Sequence, residues 1–595
     1  MTQDSRLLNL VIFSPLIIAA IVAFLPKNEK GQIRTLTLVG MLGNLVTCAW
    51  AFLRFVPTGG EFQLEYRVWW VQELGLSYHV GIDGLAAALV LLTGVLGPLV
   101  VLSSWSFVDQ RVKEFHLALL MLQTAMLGAL CSLDVLLFYV FFEAMLIPMY
   151  LLIGVWGSEE RQMAAMKFFL YTLVGSLLML VALLAVYFIA QPAGQRSFDY
   201  ASLYNGMLAA SREVAACLRS DASGASCTLT PAGASLLRYG PFLFFAFSLA
   251  FAIKVPMFPV HTWLPDAHVQ APVAGSMVLA GVMLKMGTFG FWRFAVPLFP
   301  TVARDAQLII AVLSVIGIVY GALMSLAQRD IKRLIAYSSV SHLGYCMLGL
   351  IAFTPEGATG SAYQMLNHGV STGALFLLFG MLYERRHVRL MSEYGGIAKV
   401  MPLYTAFFVI ITFSSIAVPG TNGFVGEFLV LLGTFKSGLP LWLGVVASTA
   451  VVLGAAYMLL MVQRVFFGPL TRPENKALHD LNFRELVTAV PFVLLVLVMG
   501  LKPQPMLDVL NASTKRFIAR AQWAQDEAHQ DERRTKVRVL ELPAGKTVAE
   551  VAAAPAVPMP LPRPIDLDTA RPLGRPMVMP KLLAPAPGMA QGAHP

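Results

Sequence analysis

Apolar runs of roughly 18 or more residues recur along most of the chain, and each is long enough to cross a bilayer as a helix. Short polar or basic segments separate them. The pattern predicts about fourteen spans, with approximate limits 7–25, 33–55, 81–103, 115–132, 134–155, 165–190, 240–260, 271–295, 305–327, 331–353, 361–383, 402–435, 441–467 and 485–501. The fold class that follows is an all-α polytopic membrane protein. Two spans are interrupted. One carries Lys254-Val255-Pro256-Met257-Phe258-Pro259, then His261, Trp263, Pro265, Asp266 and His268. The other carries Val418-Pro419-Gly420-Thr421-Asn422-Gly423, then Glu427. Proline removes a backbone donor and crowds the preceding turn, so both helices are expected to break. Broken backbone at membrane depth is tolerated only where it is buried or lines a wet cavity. Paired interruptions of this kind are also a mark of repeat-built transporters, and these lie about five spans apart.

Four ionisable side chains interrupt the apolar pattern: Glu143, Lys254, Lys285 and Glu427. A charge near the bilayer centre costs at least a few kcal/mol, so it is normally kept for ion movement or ligand binding. Desolvation disfavours the charged form of an acid or a base, and a nearby opposite charge restores it. A Glu and a Lys whose separation changes would therefore take up and release protons. His342 and His368 lie within or near later spans, and imidazole passes protons at physiological pH. Together these six residues point to a proton or cation path. The blander reading makes each charge a tie between helices and each histidine a packing residue. His261 and His268 fit an interfacial position equally well.

Composition narrows the picture. The chain is 57% hydrophobic and 13% charged, with a mean hydropathy of +0.69, which excludes a soluble fold. The net charge of +9 lies largely in short loops, where it sets orientation instead of binding nucleic acid. Most Lys and Arg fall in the odd-numbered loops, so those loops are expected to be cytoplasmic and both termini to face the other side. The first run, Leu7–Leu25, lacks a small-residue cleavage site and reads as a retained span. Cys48, Cys131 and Cys346 read as packing residues. Cys217 and Cys227 lie in a long polar loop, 191–238, where they either pair in an oxidising compartment or remain thiols. No clustered metal-ligand set, phosphate loop or nucleophile constellation is present, so no cofactor or metal is expected in this chain. Beyond 501, residues 502–518 are expected at the membrane surface. The charged and then Pro/Ala-rich remainder is expected as a disordered tail.

Several runs carry a family resemblance. Lys254-Val-Pro-Met-Phe-Pro-Val-His-Thr-Trp-Leu-Pro-Asp-Ala-His268 resembles a signature of the antiporter-like subunits of respiratory complex I and of multisubunit cation/proton antiporters. So do Phe141-Phe-Glu143-Ala-Met-Leu-Ile-Pro148, Ile331-Lys-Arg-Leu-Ile-Ala-Tyr-Ser-Ser-Val-Ser-His342 and Gln364-Met-Leu-Asn-His368. Glu427 in Gly423-Phe-Val-Gly-Glu427-Phe is similar to the M-type branch, because L- and N-type relatives typically carry Lys there. The resemblance covers roughly residues 1–500.

It implies three leading helices in 1–114, two inverted five-helix repeats in 115–295 and 296–470, a last membrane helix in 471–501 and a tail in 502–595. It also implies a hydrophilic axis through Glu143, Lys254, Lys285, His342, His368 and Glu427. Glu143 would modulate Lys254, while Lys285 and the histidines lead to Glu427. The implied setting is the bacterial cell membrane, in a proton-translocating NADH:quinone oxidoreductase beside L- and N-type chains. NADH, FMN, iron–sulfur clusters and quinone would then belong to the assembly. Subunits of a Na⁺/H⁺ antiporter or a membrane-bound hydrogenase share most of these motifs. A structural spacer whose charges only hold helices together is the third reading. The long tail and the Cys217/Cys227 loop depart from the family pattern.

Overall fold

A computed structural model describes residues 6–192, 194–222 and 228–540. Helices α1 (Leu7–Phe24) and α2 (Lys30–Arg54) come first, followed by an antiparallel hairpin of β1 (Gln63–Val71) and β2 (Leu76–Ile82). Next are α3 (Gly84–Ser103), α4 (Val112–Cys131), α5 (Val135–Ala144), α6 (Leu146–Trp156), α7 (Arg161–Ile189), α8 (Tyr200–Ala222) and α9 (Pro231–Lys254). The middle of the chain holds α10 (Trp263–Gln270), α11 (Val273–Val278), α12 (Lys285–Gly290), α13 (Val296–Leu298), α14 (Pro300–Asp305), α15 (Gln307–Leu326), α16 (Ile331–Ile351) and α17 (Pro355–Arg386). The last group is α18 (Pro402–Ser415), α19 (Asn422–Lys436), α20 (Leu441–Phe466), α21 (Pro473–Lys476), α22 (Phe483–Leu501) and α23 (Gln504–Leu540). The chain divides into two compact units, Met1–His529, which holds every span, and Gln530–Pro595, which holds the end of α23.

Among the described residues, 13 helical stretches are long and apolar enough to cross a membrane. The remaining predicted span, 402–435, is split between α18 and α19, of 14 and 15 residues. Gly420 between them adopts φ +91°, a conformation that suits a residue without Cβ. The first predicted break is present as well. α9 ends at Lys254, and Trp263 Nε1 donates to Ile253 O at 2.9 Å, folding α10 back onto it. The stretch Val273–Leu298 and residues 357–382 of α17 are buried throughout and form the interior. α1, α2, α20 and α22 expose apolar side chains outward, as a lipid-facing shell requires.

Five local features differ from the sequence reading. The span predicted at 134–155 is two helices, because Pro148 has no N–H to bond Ala144 O and the turn at Met145 opens. The span predicted at 271–295 contains two π-helical segments, Leu279–Met283 and Phe291–Ala295, on either side of Lys285. The loop before α3 is the β1–β2 hairpin, the one β-sheet among the described residues. The loop predicted at 191–238 contains α8. Residues 504–540, expected mostly as tail, are helical in α23. Cys217 lies in α8, while Cys227 and residues 541–595 lie outside the described residues.

The connections gather on two faces. On the odd-loop face, Trp156 Nε1 donates to Gln110 O at 2.9 Å and Ile331 N to Arg389 O at 3.0 Å. On the even-loop face, Leu133 N donates to His79 O and Val135 N to Phe198 O, both at 2.8 Å. Gly84 N donates to Ser513 Oγ at 2.9 Å there too.

Candidate functional site

Helix α17 presents Gln364, Asn367, His368 and Ser371 at positions i, i+3, i+4 and i+7, which is one face of a helix. That face meets α19 just past the break between α18 and α19. Glu427 is buried there, and its Oε1 accepts hydrogen bonds from His342 Nδ1 at 3.0 Å and Gln364 Nε2 at 3.1 Å. Asn367 Nδ2 donates to Gln364 Oε1 at 3.0 Å and orients that amide. His342 Nε2 lies 3.4 Å from Ser415 Oγ at the end of α18. A second cluster lies at the break, where Ser414 Oγ donates to Asn422 Oδ1 and sits 2.5 Å from Ser371 Oγ.

Lys285 continues the line. A π-helical turn displaces the regular i to i−4 ladder and frees a carbonyl. Ala280 O, in the π segment before Lys285, accepts from Lys285 Nζ, and the same ammonium lies 2.6 Å from His368 Nδ1. With Nδ1 accepting, the ring proton of His368 resides on Nε2. The His368 and His342 rings are 5.9 Å apart. Lys285, His368, His342 and Glu427 thus form one buried series from α12 through α17 and α16 to α19.

The other two predicted residues form a separate pair. Lys254 is buried at the end of α9, with Nζ 3.4 Å from Phe142 O and 3.9 Å from the centre of the Phe142 ring. Glu143 is half-buried at the end of α5, and its Oε1 has no hydrogen-bond partner. Among the described residues no contact ion pair joins the two, and Lys254 lies against Phe142, the neighbour of Glu143 in sequence. The pair approaches the series through a glycine. A Cβ on Gly287 would sit 2.6 Å from Phe251 O and from Val255 N, so its absence lets the end of α9 lie against α12 two residues from Lys285.

Sequence reasoning missed other polar groups here. His268, for which an interfacial position fitted equally well, is fully buried, stacked on Phe376 at 4.5 Å, with neither ring nitrogen partnered. Lys332, at the start of the predicted span 331–353, is 6% exposed. The i, i+3, i+4, i+7 spacing of α17 was the signal that could have added Gln364 and Asn367. Among the described residues no group of three or more His, Cys, Asp or Glu could hold a metal ion.

The family model for the transmembrane part of NADH:quinone oxidoreductase and Mrp antiporter proteins matches residues 132–454, which contain all six predicted residues. NADH-quinone oxidoreductase subunit M of Rhodobacter capsulatus is 42% identical over 528 residues, covering 86% of this chain and 96% of that protein. The chain belongs to the NADH:quinone oxidoreductase/Mrp antiporter family. Within this family its full-length likeness is to subunit M, the branch that Glu427 indicated. A chain of respiratory complex I from Thermus thermophilus matches with a TM-score of 0.74 and 32% identity, over 86% of this chain and 99% of that one. A chain of the Mrp complex from Dietzia matches with a TM-score of 0.71 at 20% identity, over 88% and 99%, and shares the fold.

Proposed function

We propose that this chain is the M-type membrane-arm subunit of a proton-translocating NADH:quinone oxidoreductase and carries one of its proton paths. The observation that carries this reading is the buried series Lys285–His368–His342–Glu427, spanning the interior of a subunit M relative. In the proposed mechanism Lys285 Nζ gives a proton to His368 Nδ1, and His368 releases its Nε2 proton toward His342. His342 Nδ1 then delivers a proton to Glu427 Oε1. Glu143 sets the charge of Lys254: an ionised carboxylate nearby holds the ammonium form, and its movement or neutralisation releases it. A charged Lys254 repels a proton on Lys285 and biases the series forward. Electron transfer from NADH to quinone takes place in other subunits, and quinone is a ligand of the assembly.

The same reading places the chain in a bacterial cell membrane. The Lys and Arg of the odd-loop face support a cytoplasmic position for it, which sets α23 on the outer side. Two inverted five-helix repeats, 115–295 and 296–470, fit the recurrence of a broken helix beside a buried charge at Lys254 and at Glu427. Glu143 is only half-buried, between exposed Val140 and Ile147. A carboxylate facing lipid is costly, so a neighbouring L- or N-type chain is the fitting cover.

The test uses inverted membrane vesicles containing assembled complex with Glu143→Gln. NADH oxidation by quinone and proton uptake should fall together by about tenfold, the effect of one pK unit on a proton equilibrium. Normal pumping in an assembled variant would assign these charges to helix packing alone.

A further inference from the structure

The odd-loop end of α10 borders a cavity of about 420 Å³ whose lining includes Trp156, Ser158, Glu159, Lys332, Tyr383 and Arg389. Its inner wall is the turn from α10 into α11. Carbonyls at a helix C-terminus have no intrahelical partner and carry partial negative charge. At half-helix ends inside membranes such carbonyls are ligands for alkali cations. Here they are already taken. Lys332 Nζ donates to Ala271 O at 2.5 Å and to Val269 O at 3.3 Å. Arg389 Nη1 donates to Val269 O at 3.0 Å, and Ser158 N to Gln270 O at 2.9 Å.

The charges on these two cations differ in their compensation. Arg389 has Asp330 at 3.4 Å. Among the described residues, no carboxylate lies within ion-pair distance of the Lys332 ammonium, although the residue is buried. An unpaired buried cation is expensive to keep, and its place is where a bare metal cation would otherwise bind. A proton is not stopped in the same way, because it moves by exchange along hydrogen bonds and needs no carbonyl cage. Fixed positive charge at a constriction is a physical means of excluding cations.

We propose that Lys332 is a specificity-determining residue: its ammonium occupies the Val269 and Ala271 carbonyls and keeps Na⁺ and K⁺ out of this vestibule. The proposal rests on the reading of the chain as a proton-moving subunit, with the odd-loop face as the uptake side. Inverted vesicles present that face to the medium. NADH-driven proton uptake is measured in NaCl and in choline chloride at equal ionic strength, and the sodium-to-choline ratio is the readout.

The ratio should be near one for the native chain and for Lys332→Arg. In Lys332→Gln, which keeps a donor for the carbonyls but no charge, it should fall about tenfold, the scale on which fixed charge alters local ion concentration. A structural role lowers uptake in both media and leaves the ratio at one, which overturns the proposal, as does a native ratio far from one. Should Lys332→Gln fail to assemble, the ratio is read in Lys332→Met, which keeps the length of the side chain in this buried position and removes its charge. A lowered ratio supports the proposal there, and a ratio of one overturns it. The Glu143→Gln experiment judges the underlying proton-path reading separately.

Discussion

At the scale of single residues, the site depends on how closely α19 approaches α17. Gly426 precedes Glu427, and a Cβ there would run into Gln364 Oε1 and Asn367 Nδ2, the amides that hold the carboxylate. Gly426→Ala must push α19 away or displace Gln364, at a cost of about 1–3 kcal/mol. Gly43 in α2 is the natural contrast, with nothing within 4 Å of its added Cβ. Gly43→Ala should be neutral or stabilise by about 0.5–1 kcal/mol. Thermal melting of the detergent-solubilised complex, with proton uptake from vesicles, should separate the two: Gly426→Ala loses both, and Gly43→Ala loses neither. The charged members of the site were legible in the sequence because a charge contrasts with any apolar run. Gln364, Asn367 and Ser415 were not, since amides and hydroxyls are common in buried helices. Thr93, Thr172 and Ser325, for example, each bond the carbonyl four residues back. The helical spacing on α17 groups Gln364 and Asn367 with His368, and the facing of α17 and α19 shows which polar groups meet.

At the scale of elements, the two proline-marked breaks were readable and the π-helical segments beside Lys285 were not. A π turn follows from packing on both sides of a helix and leaves no composition signature. The β1–β2 hairpin was also missed between strong helical spans, although Gly75, at φ +66°, supplies the turn. That hairpin braces α5, the helix that ends beside Lys254. Ser77 N donates to Asp134 Oδ2 at 3.0 Å, and Asp134 caps α5 through Leu136 N and Leu137 N. His79 holds the brace, with Nδ1 2.6 Å from Asp199 and Nε2 3.2 Å from Glu65, while Arg67 lies 3.8 Å from Asp199. Burial alone would lower the pKa of His79, but the two carboxylates more than reverse this and raise it from 6.5 to about 8. A raised histidine pKa means the stabilisation is complete below pH 6.5 and is lost as pH climbs through about 8. With solvent screening allowed for, it amounts to about 1 kcal/mol. Melting of the complex between pH 6 and 9 should show this decline in the native protein and a flatter profile in His79→Gln.

At the scale of the whole molecule, the even-loop ends of helices from distant parts of the chain converge beneath α23. Ser513 Oγ accepts from Gly84 N and Leu85 N at the start of α3. Phe517 stacks on Trp292 at 4.4 Å, beside the buried Arg293–Asp83 pair at 2.7 Å. Arg520 reaches Glu61 at 2.7 Å and Tyr200 Oη at 3.1 Å, and Gln522 Nε2 donates to Phe353 O at 2.6 Å. α23 therefore covers the end of the Lys285 span and ties it to α3, the hairpin segment, α8 and the end of α16. A chain ending after Lys502 leaves the Arg293–Asp83 pair open to water and removes the apolar cover over Trp292. Losing Phe517 alone by Phe517→Ala should cost about 3–5 kcal/mol. Two measurements check this. The amount of assembled complex should fall, and vesicles should become more permeable to protons when NADH is absent, more in the truncated chain than in Phe517→Ala. Unchanged passive permeability in both variants would leave α23 as an external tie, with the even-loop face sealed by the Arg293–Asp83 pair alone.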